Sequence, residues 1–248
     1  MKKFPNSVLF DPTTDLRRNA KEGIINAWTR DEEETKRMEG ENTRRLILAS
    51  GSARRRELLE NCGYEFEVRP SSAPEEGVSA ETPALLVERL SLMKARTVFD
   101  SLPEEEKPRA VVLGSDTVVV LDGQIIGKPR SKEEACEMLR AESGRENTVF
   151  TGVAVVRYEP DPASDGKLLL EEVASDAALV RFAELTEEEI ADYVATGDPM
   201  DKAGAYGIQG RFSAHIECVE GSYFTVVGLP VHLVYRMLKR AGIEPKKA

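Results

Sequence analysis

From residue 45 onward, the spacing of apolar and polar positions changes period repeatedly, and each change marks an element. Leu46-Ile47-Leu48-Ala49 is an unbroken apolar run short enough for a buried strand. It passes through Ser50-Gly51-Ser52 into a predicted helix from Ala53 to Asn61, stopped by Gly63. Tyr64 to Val68 alternates as a half-buried strand. A long helix follows Pro83, with Leu86, Leu90, Met93 and Val98 among its apolar positions. The run Ala110 to Leu113 predicts a buried strand that ends by delivering Asp116, followed by a hairpin turning at Asp122-Gly123. Ser131 with Glu134, and Thr186 with Glu189, are capping-box signatures that open helices closed by Gly144 and Gly197. Thr148 to Tyr158 and Leu168 to Phe182 read as paired strands around an Asp161-to-Gly166 turn. A glycine-rich loop, a hairpin at Glu220-Gly221-Ser222 and a closing helix after Pro230 complete the chain. This alternation predicts an α/β, or mixed α+β, body.

The first 44 residues look different. Leu16, Ala20, Ile24 and Trp28 fall at four-residue intervals, as on one stripe of a short helix, before the acidic run Asp31 to Glu34. Residues 1–44 are therefore expected to form an extension, partly helical or disordered and without a catalytic role. Residues 45–248 are expected to form the functional domain.

Composition narrows the class of function. A net charge of −10 argues against a general nucleic-acid coat but leaves room for a small anion in a local basic cluster. The three cysteines lack the paired spacing of a disulfide framework or a zinc site. No apolar run is long enough to cross a bilayer, and the start of the chain lacks a signal-peptide core. The expected location is cytoplasmic. The expected partner is a small molecule rather than nucleic acid or membrane, with a homodimer as the candidate assembly.

Four clusters carry candidate chemistry. Ser50-Gly51-Ser52-Ala53-Arg54-Arg55-Arg56 sits at a strand-to-helix transition, where free backbone N–H groups and arginines suit a phosphate. It lacks the Gly-Lys-Ser/Thr ending of a Walker A loop. Lys94 lies on the polar side of its helix, near Arg89 and Arg96. The hairpin segment brings Asp116, Thr117 and Lys128 together, an isolated acid and a lysine of the kind a metal-dependent phosphoanhydride hydrolase uses. Taken alone, that segment also reads as an ordinary surface hairpin. The fourth cluster runs from Gly197 to Gly210, where Tyr206, Ile208 and Gln209 between glycines suit a base pocket. His215 and His232 have no ligand partners at metal spacing, and neither Ser50 nor Ser52 lies in a G-x-S-x-G elbow.

Leu-Ala-Ser-Gly-Ser-x-Arg-Arg at 48 to 55, Ser-Asp-Thr at 115 to 117, Gly-Lys-Pro at 127 to 129 and Asp-Lys-Ala-Gly-Ala-Tyr-Gly-Ile-Gln-Gly at 201 to 210 occur in order and spacing that resemble the Maf-like nucleoside triphosphate pyrophosphatases. The resemblance runs from about Arg45 to about Ala241. It implies an elongated mixed α/β fold like that of inosine triphosphatases, with two lobes around a nucleotide cleft. It implies hydrolysis of a nucleoside triphosphate to the monophosphate and pyrophosphate, removing modified or excess nucleotides, with Mg²⁺ or Mn²⁺ as cofactor. Asp116 matches the family's catalytic carboxylate. Ser50, Arg54, Lys94, Thr117, Lys128 and Gln209 match substrate-binding positions, and Glu75 with Asp116 matches the metal site. The Ala-Tyr-Gly-Ile-Gln form resembles the branch acting on dTTP and UTP. Arg211-Phe212-Ser213-Ala214 departs from the smaller residues common there, so a different pocket rim is expected. The rival expectation is a non-catalytic nucleotide-binding regulator of septum formation.

Overall fold

The computed structural model describes residues 44–74, 78, 80, 82–164 and 166–246; the extension and Glu75 lie outside the described residues. Among the described residues, seven strands form a mixed sheet and six α-helices pack against it. The strands are β1 (Arg45–Leu48), β2 (Glu67–Val68), β3 (Ala110–Leu121), β4 (Gln124–Ile126), β5 (Glu146–Pro160), β6 (Lys167–Phe182) and β7 (Ile216–Glu220). They lie in the order β2-β1-β3-β5-β6-β7, with β4 paired to the far end of β3. β1 runs parallel to β2 and β3, and the remaining pairs are antiparallel.

The helices are α1 (Ala53–Asn61), α2 (Pro83–Asp100), α3 (Lys132–Glu142), α4 (Glu187–Ala195), α5 (Tyr223–Val227) and α6 (Val231–Arg240). Local chemistry sets most of their starts. Thr82 caps α2 by accepting from Leu85 N, ahead of a proline that has no N–H to lose. Thr186 and Glu189 complete a reciprocal capping box on α4. On α3 only half the predicted box forms: Ser131 accepts from Glu134 N, whereas the Glu134 carboxylate turns to Arg130.

Both faces of the sheet's centre are covered, which explains the unbroken apolar runs in β1 and β3. Val111, Leu113, Leu46 and Leu48 pack with Leu59 of α1 and Leu238 of α6 on one face. Val112, Ile47 and Ala154 pack with Ala95, Val98 and Phe99 of α2 on the other. Full burial of Phe99, edge-on to Tyr158 at 5.2 Å, contributes about 1.5–3 kcal/mol. The buried stripe of α2 is Val87, Leu90, Ala95, Val98 and Phe99, so Leu86 and Met93 are only partly covered.

Three predicted elements are corrected. β3 does not stop at Leu113 but continues to Leu121, because β5 pairs with it residue by residue from Val111 to Val120. Asp116 therefore stands in mid-strand. The half-buried strand from Tyr64 shrinks to Glu67–Val68, the residues that pair with Ile47 and Leu48 of β1. Glu220-Gly221-Ser222 is not a hairpin: β7 ends there and α5 begins. The turn at Asp122-Gly123 forms as predicted, with φ of 51° and 75°, the left-handed pair that a tight hairpin needs.

Candidate active site

The site lies at a gap along one edge of β3. β1 pairs with Ala110–Leu113 and β4 with Val119–Leu121, so Gly114 to Val118 have β5 on one side and no strand on the other among the described residues. The gap opens where β1 ends and its chain turns into α1, the end of parallel strands where ligands gather in open α/β sheets.

Neighbouring side chains on β3 point to opposite faces. Asp116 faces α2, where Lys94 Nζ donates to its Oδ1 at 2.5 Å; the residue is only 8% exposed. This contact depends on how closely α2 approaches the sheet. A Cβ at Gly114 would lie 2.2 Å from Ser91 O, and one at Gly152, opposite Asp116 on β5, would lie 2.3 Å from Val87 O. Glycine at both positions is what lets the helix settle there.

Thr117 faces the other way. Its Oγ1 shares a hydrogen bond with Thr151 Oγ1 at 2.9 Å and accepts from Arg55 Nη2 at 3.1 Å. Arg55 also donates to Ser50 Oγ (3.1 Å), Ser115 O (2.9 Å) and Gly228 O (2.8 Å). One guanidinium thus holds the β1–α1 loop, β3 on either side of Asp116, and the turn after α5. Arg55, which the sequence placed in the first cluster but gave no role of its own, is the arginine that ties these segments together. Its signal was its spacing: it lies three and four residues before the buried Leu58 and Leu59, on the inward face of α1.

Arg54 points to the rim, where Nη1 reaches Asp201 Oδ2 at 3.4 Å. An open depression of about 600 Å³ lies beside it, lined by Arg54, Thr196, Gly197, Asp198, Met200, Asp201 and Lys202. Asp116 is not part of that lining. Lys202 is used within its own loop, donating to Asp198 Oδ1 (2.9 Å) and Asp201 Oδ1 (2.7 Å). Tyr193 donates to Asp198 Oδ2 at 2.6 Å and accepts from Gly207 N at 3.1 Å. Burial pushes the Asp198 and Asp201 carboxyls up, but the donors around each outweigh it and leave both below their ordinary values: Tyr193 and Lys202 for Asp198, Lys202 and Arg54 for Asp201.

Lys128 is exposed on its corner and makes no ion pair with Asp116; the lysine at the carboxylate is Lys94. The corner is nevertheless tied to the glycine loop, because Gly204 N donates to Gly127 O at 3.1 Å. Gln209 is half-buried. Tyr206 and Ile208, expected in a base pocket, belong to the core instead. Ile208 packs with Leu48 and Leu229, and Tyr206 lies edge-on to Phe182 with its hydroxyl on Asn147. Their spacing between glycines carried no information about which way they face.

A divalent cation of the magnesium type binds through carboxylates, water and phosphate oxygens. No group of three or more His, Cys, Asp or Glu side chains is placed to hold a metal ion among the described residues. Asp116 offers one carboxylate with a single oxygen bonded to Lys94, which fits an ion held mainly by a substrate's phosphates.

A carboxylate–lysine pair at a sheet gap, beside a helix start with arginines and no acid in its first turn, is an arrangement chemically suited to phosphate. Residues 45–241 match the family model described as Maf-like protein, and the chain belongs to that family. It is 49% identical over 197 residues to the protein named dTTP/UTP pyrophosphatase from Symbiobacterium thermophilum, covering 79% of this chain and 94% of that one. It is 47% identical over 198 residues to the protein of the same name from Thermotoga maritima, covering 80% and 90%. The corresponding protein from Koribacter versatilis is 44% identical over 198 residues, covering 80% and 95%. No described helix is long and apolar enough to cross a membrane.

Proposed function

We propose that this protein hydrolyses dTTP and UTP to their monophosphates and pyrophosphate, the activity that names its relatives. The observation that carries the reading is the Lys94–Asp116 pair at the sheet gap. A triphosphate entering there brings phosphate oxygens that compete for Lys94. As the lysine turns to them, Asp116 is freed to accept a proton from water. The water oxygen bonds to the α-phosphorus while the bridging bond to the β-phosphate breaks, and pyrophosphate leaves with the electron pair. Arg54 and Lys128 would balance charge on the departing phosphates, and Arg55 holds Ser115 and Thr117 so that Asp116 keeps its place. Asp116, with Glu75, would hold Mg²⁺ or Mn²⁺, which when bound neutralises phosphate charge and polarises the anhydride. Gln209 would pair with the base edge inside a cleft between two lobes, selecting pyrimidines and modified pyrimidines.

The test is a panel of nucleoside triphosphates incubated with protein and Mg²⁺ or Mn²⁺, reading pyrophosphate release. Release from dTTP and UTP well above that from purines, abolished by a chelator, is the expected result. A chain that binds dTTP without releasing pyrophosphate would be a nucleotide-binding regulator instead.

A further inference from the structure

Glu142 ends α3 on the same stripe as Ala135 and Leu139, seven and three residues earlier, where a core-facing helix ordinarily carries an apolar side chain. It is 1% exposed, and its Oε2 has no hydrogen-bond partner. Its Oε1 accepts from Asn147 Nδ2 at 3.1 Å, and Asn147 Oδ1 in turn accepts from the Tyr206 hydroxyl at 3.1 Å. The same Oε1 faces Gly204, where a Cβ would come within 3.1 Å of it. Gly204 N is the donor that ties the loop to Gly127 O, next to Lys128. A carboxyl buried with one oxygen unsatisfied is unfavourable unless it does something that leucine would not. Here it lies against Gly204 and is joined to Tyr206 through the Asn147 amide, so it supports the glycine loop from below.

We propose that Glu142 is a positioning residue for the nucleotide site, fastening the glycine loop at Gly204 and Tyr206 to the corner that carries Lys128. The proposal rests on the reading that this loop and corner hold the nucleotide. The surroundings require the fastening group to be neutral. β5 presents the uncharged amide of Asn147, the loop presents Gly204 and the Tyr206 hydroxyl, and Val119, Phe182, Ile190 and Phe212 are apolar. Tyr206 is the titratable group coupled to it, the Tyr193 hydroxyl being turned to Asp198, and no ion pair reaches Glu142 among the described residues. Ionisation would place an unbalanced charge against Gly204 and loosen the loop.

Two variants test this, Glu142→Leu and Glu142→Gln, with kcat and KM for dTTP measured at neutral pH. Glu142→Leu is expected to raise KM on the order of tenfold, the size of one lost buried hydrogen bond, and to move kcat far less. Glu142→Gln, which is neutral and keeps the acceptor for Asn147, is expected to retain the wild-type KM. Amide exchange at Gly204 and Gly207 is followed in parallel without nucleotide, and it should quicken in the leucine variant alone. An unchanged KM in a folded leucine variant, a glutamine variant as impaired as the leucine one, or unchanged exchange would each overturn the proposal. If no protein releases pyrophosphate while exchange behaves as expected, the activity reading fails and the fastening stands.

Discussion

Lys94 Nζ and Asp116 Oδ1 meet 2.5 Å apart across the contact between α2 and β3, with both side chains largely out of water. Lys94 is the counter-charge of Asp116 among the described residues, so removing the lysine leaves a largely buried carboxylate unbalanced. Asp116→Asn is expected to lower turnover by about 10²–10⁴-fold, the range for a lost general base. Lys94→Met should fall in a similar range. Because the two act as one unit, the double variant should be little worse than the poorer single one. Steady-state kinetics on all four proteins decides this, and effects that simply multiplied would separate the two residues.

The two adjacent arginines should respond in opposite ways. Arg54 makes a loose pair at the rim, so Arg54→Ala should change stability by less than about 1 kcal/mol while raising KM for every triphosphate. Arg55 supplies four hydrogen bonds, three of them to β3 and the turn after α5, so Arg55→Ala should lose about 2–4 kcal/mol. Urea unfolding beside initial-rate measurements distinguishes the two.

Gly114→Ala tests the link from packing to chemistry. The added methyl would meet Ser91 O and Ala95 N, backbone atoms of α2 that cannot swing aside. Overpacking of this kind costs about 1–3 kcal/mol or more. The helix that must move also carries Lys94, so kcat should fall at temperatures where the variant is still fully folded. A variant with a lower melting temperature but unchanged kcat would show that the site tolerates displacement of α2.

Stability should depend on pH through Glu142. Burial raises its carboxyl well above the ordinary value, and the Asn147 amide, which lowers it, does not compensate. Below about pH 4 folded and unfolded chains both hold the proton. As pH rises past that point the unfolded chain releases a proton that the folded chain keeps, so stability falls until the folded carboxyl itself ionises. Glu142→Gln has no such proton. Its melting temperature relative to wild type should therefore climb between pH 4 and neutrality, which scanning calorimetry across that range measures.

Gln209→Glu should impair dTTP and UTP turnover more than it weakens binding of inorganic pyrophosphate, because a site built around an amide leaves its base unpaired when that amide is replaced. Equal losses with every nucleotide and with pyrophosphate would remove Gln209 from base selection.

What the sequence made legible was local. The Thr186–Glu189 box, the Asp122-Gly123 turn and the apolar runs of β1 and β3 depend on residues within a few positions of one another, and each appears where it was expected. What it concealed was set at long range. The polar Gly114-Ser115-Asp116-Thr117 stretch remains strand only because β5, more than 30 residues later, pairs with it. Lys94 was a candidate for phosphate, yet nothing in its own helix announces Asp116 as its partner. Tyr206 was assigned to a pocket by its company of glycines, but Phe182 and Asn147, distant in sequence, decide that it faces the core. The family motifs pointed to segments that the fold brings close to one another around Arg55 and Asp116. They did not say that Asp116 and Thr117 would look out from opposite sides of the sheet, or that the inner arginine would be the second of the pair.

The carbonyl of Gly228 accepts both Arg55 Nε at 2.8 Å and Ser115 Oγ at 3.1 Å. During synthesis the ribosome releases Lys94, Asp116 and Arg55 long before it reaches that glycine. A nascent chain halted at residue 220 would hold its acid, its lysine and three of the four hydrogen bonds made by the Arg55 side chain, those to Ser50, Ser115 and Thr117, but not the one to Gly228. The last tie on that guanidinium, and the partner of the Ser115 hydroxyl, thus arrive only with the turn after α5, which makes that turn the final part of the framework to lock.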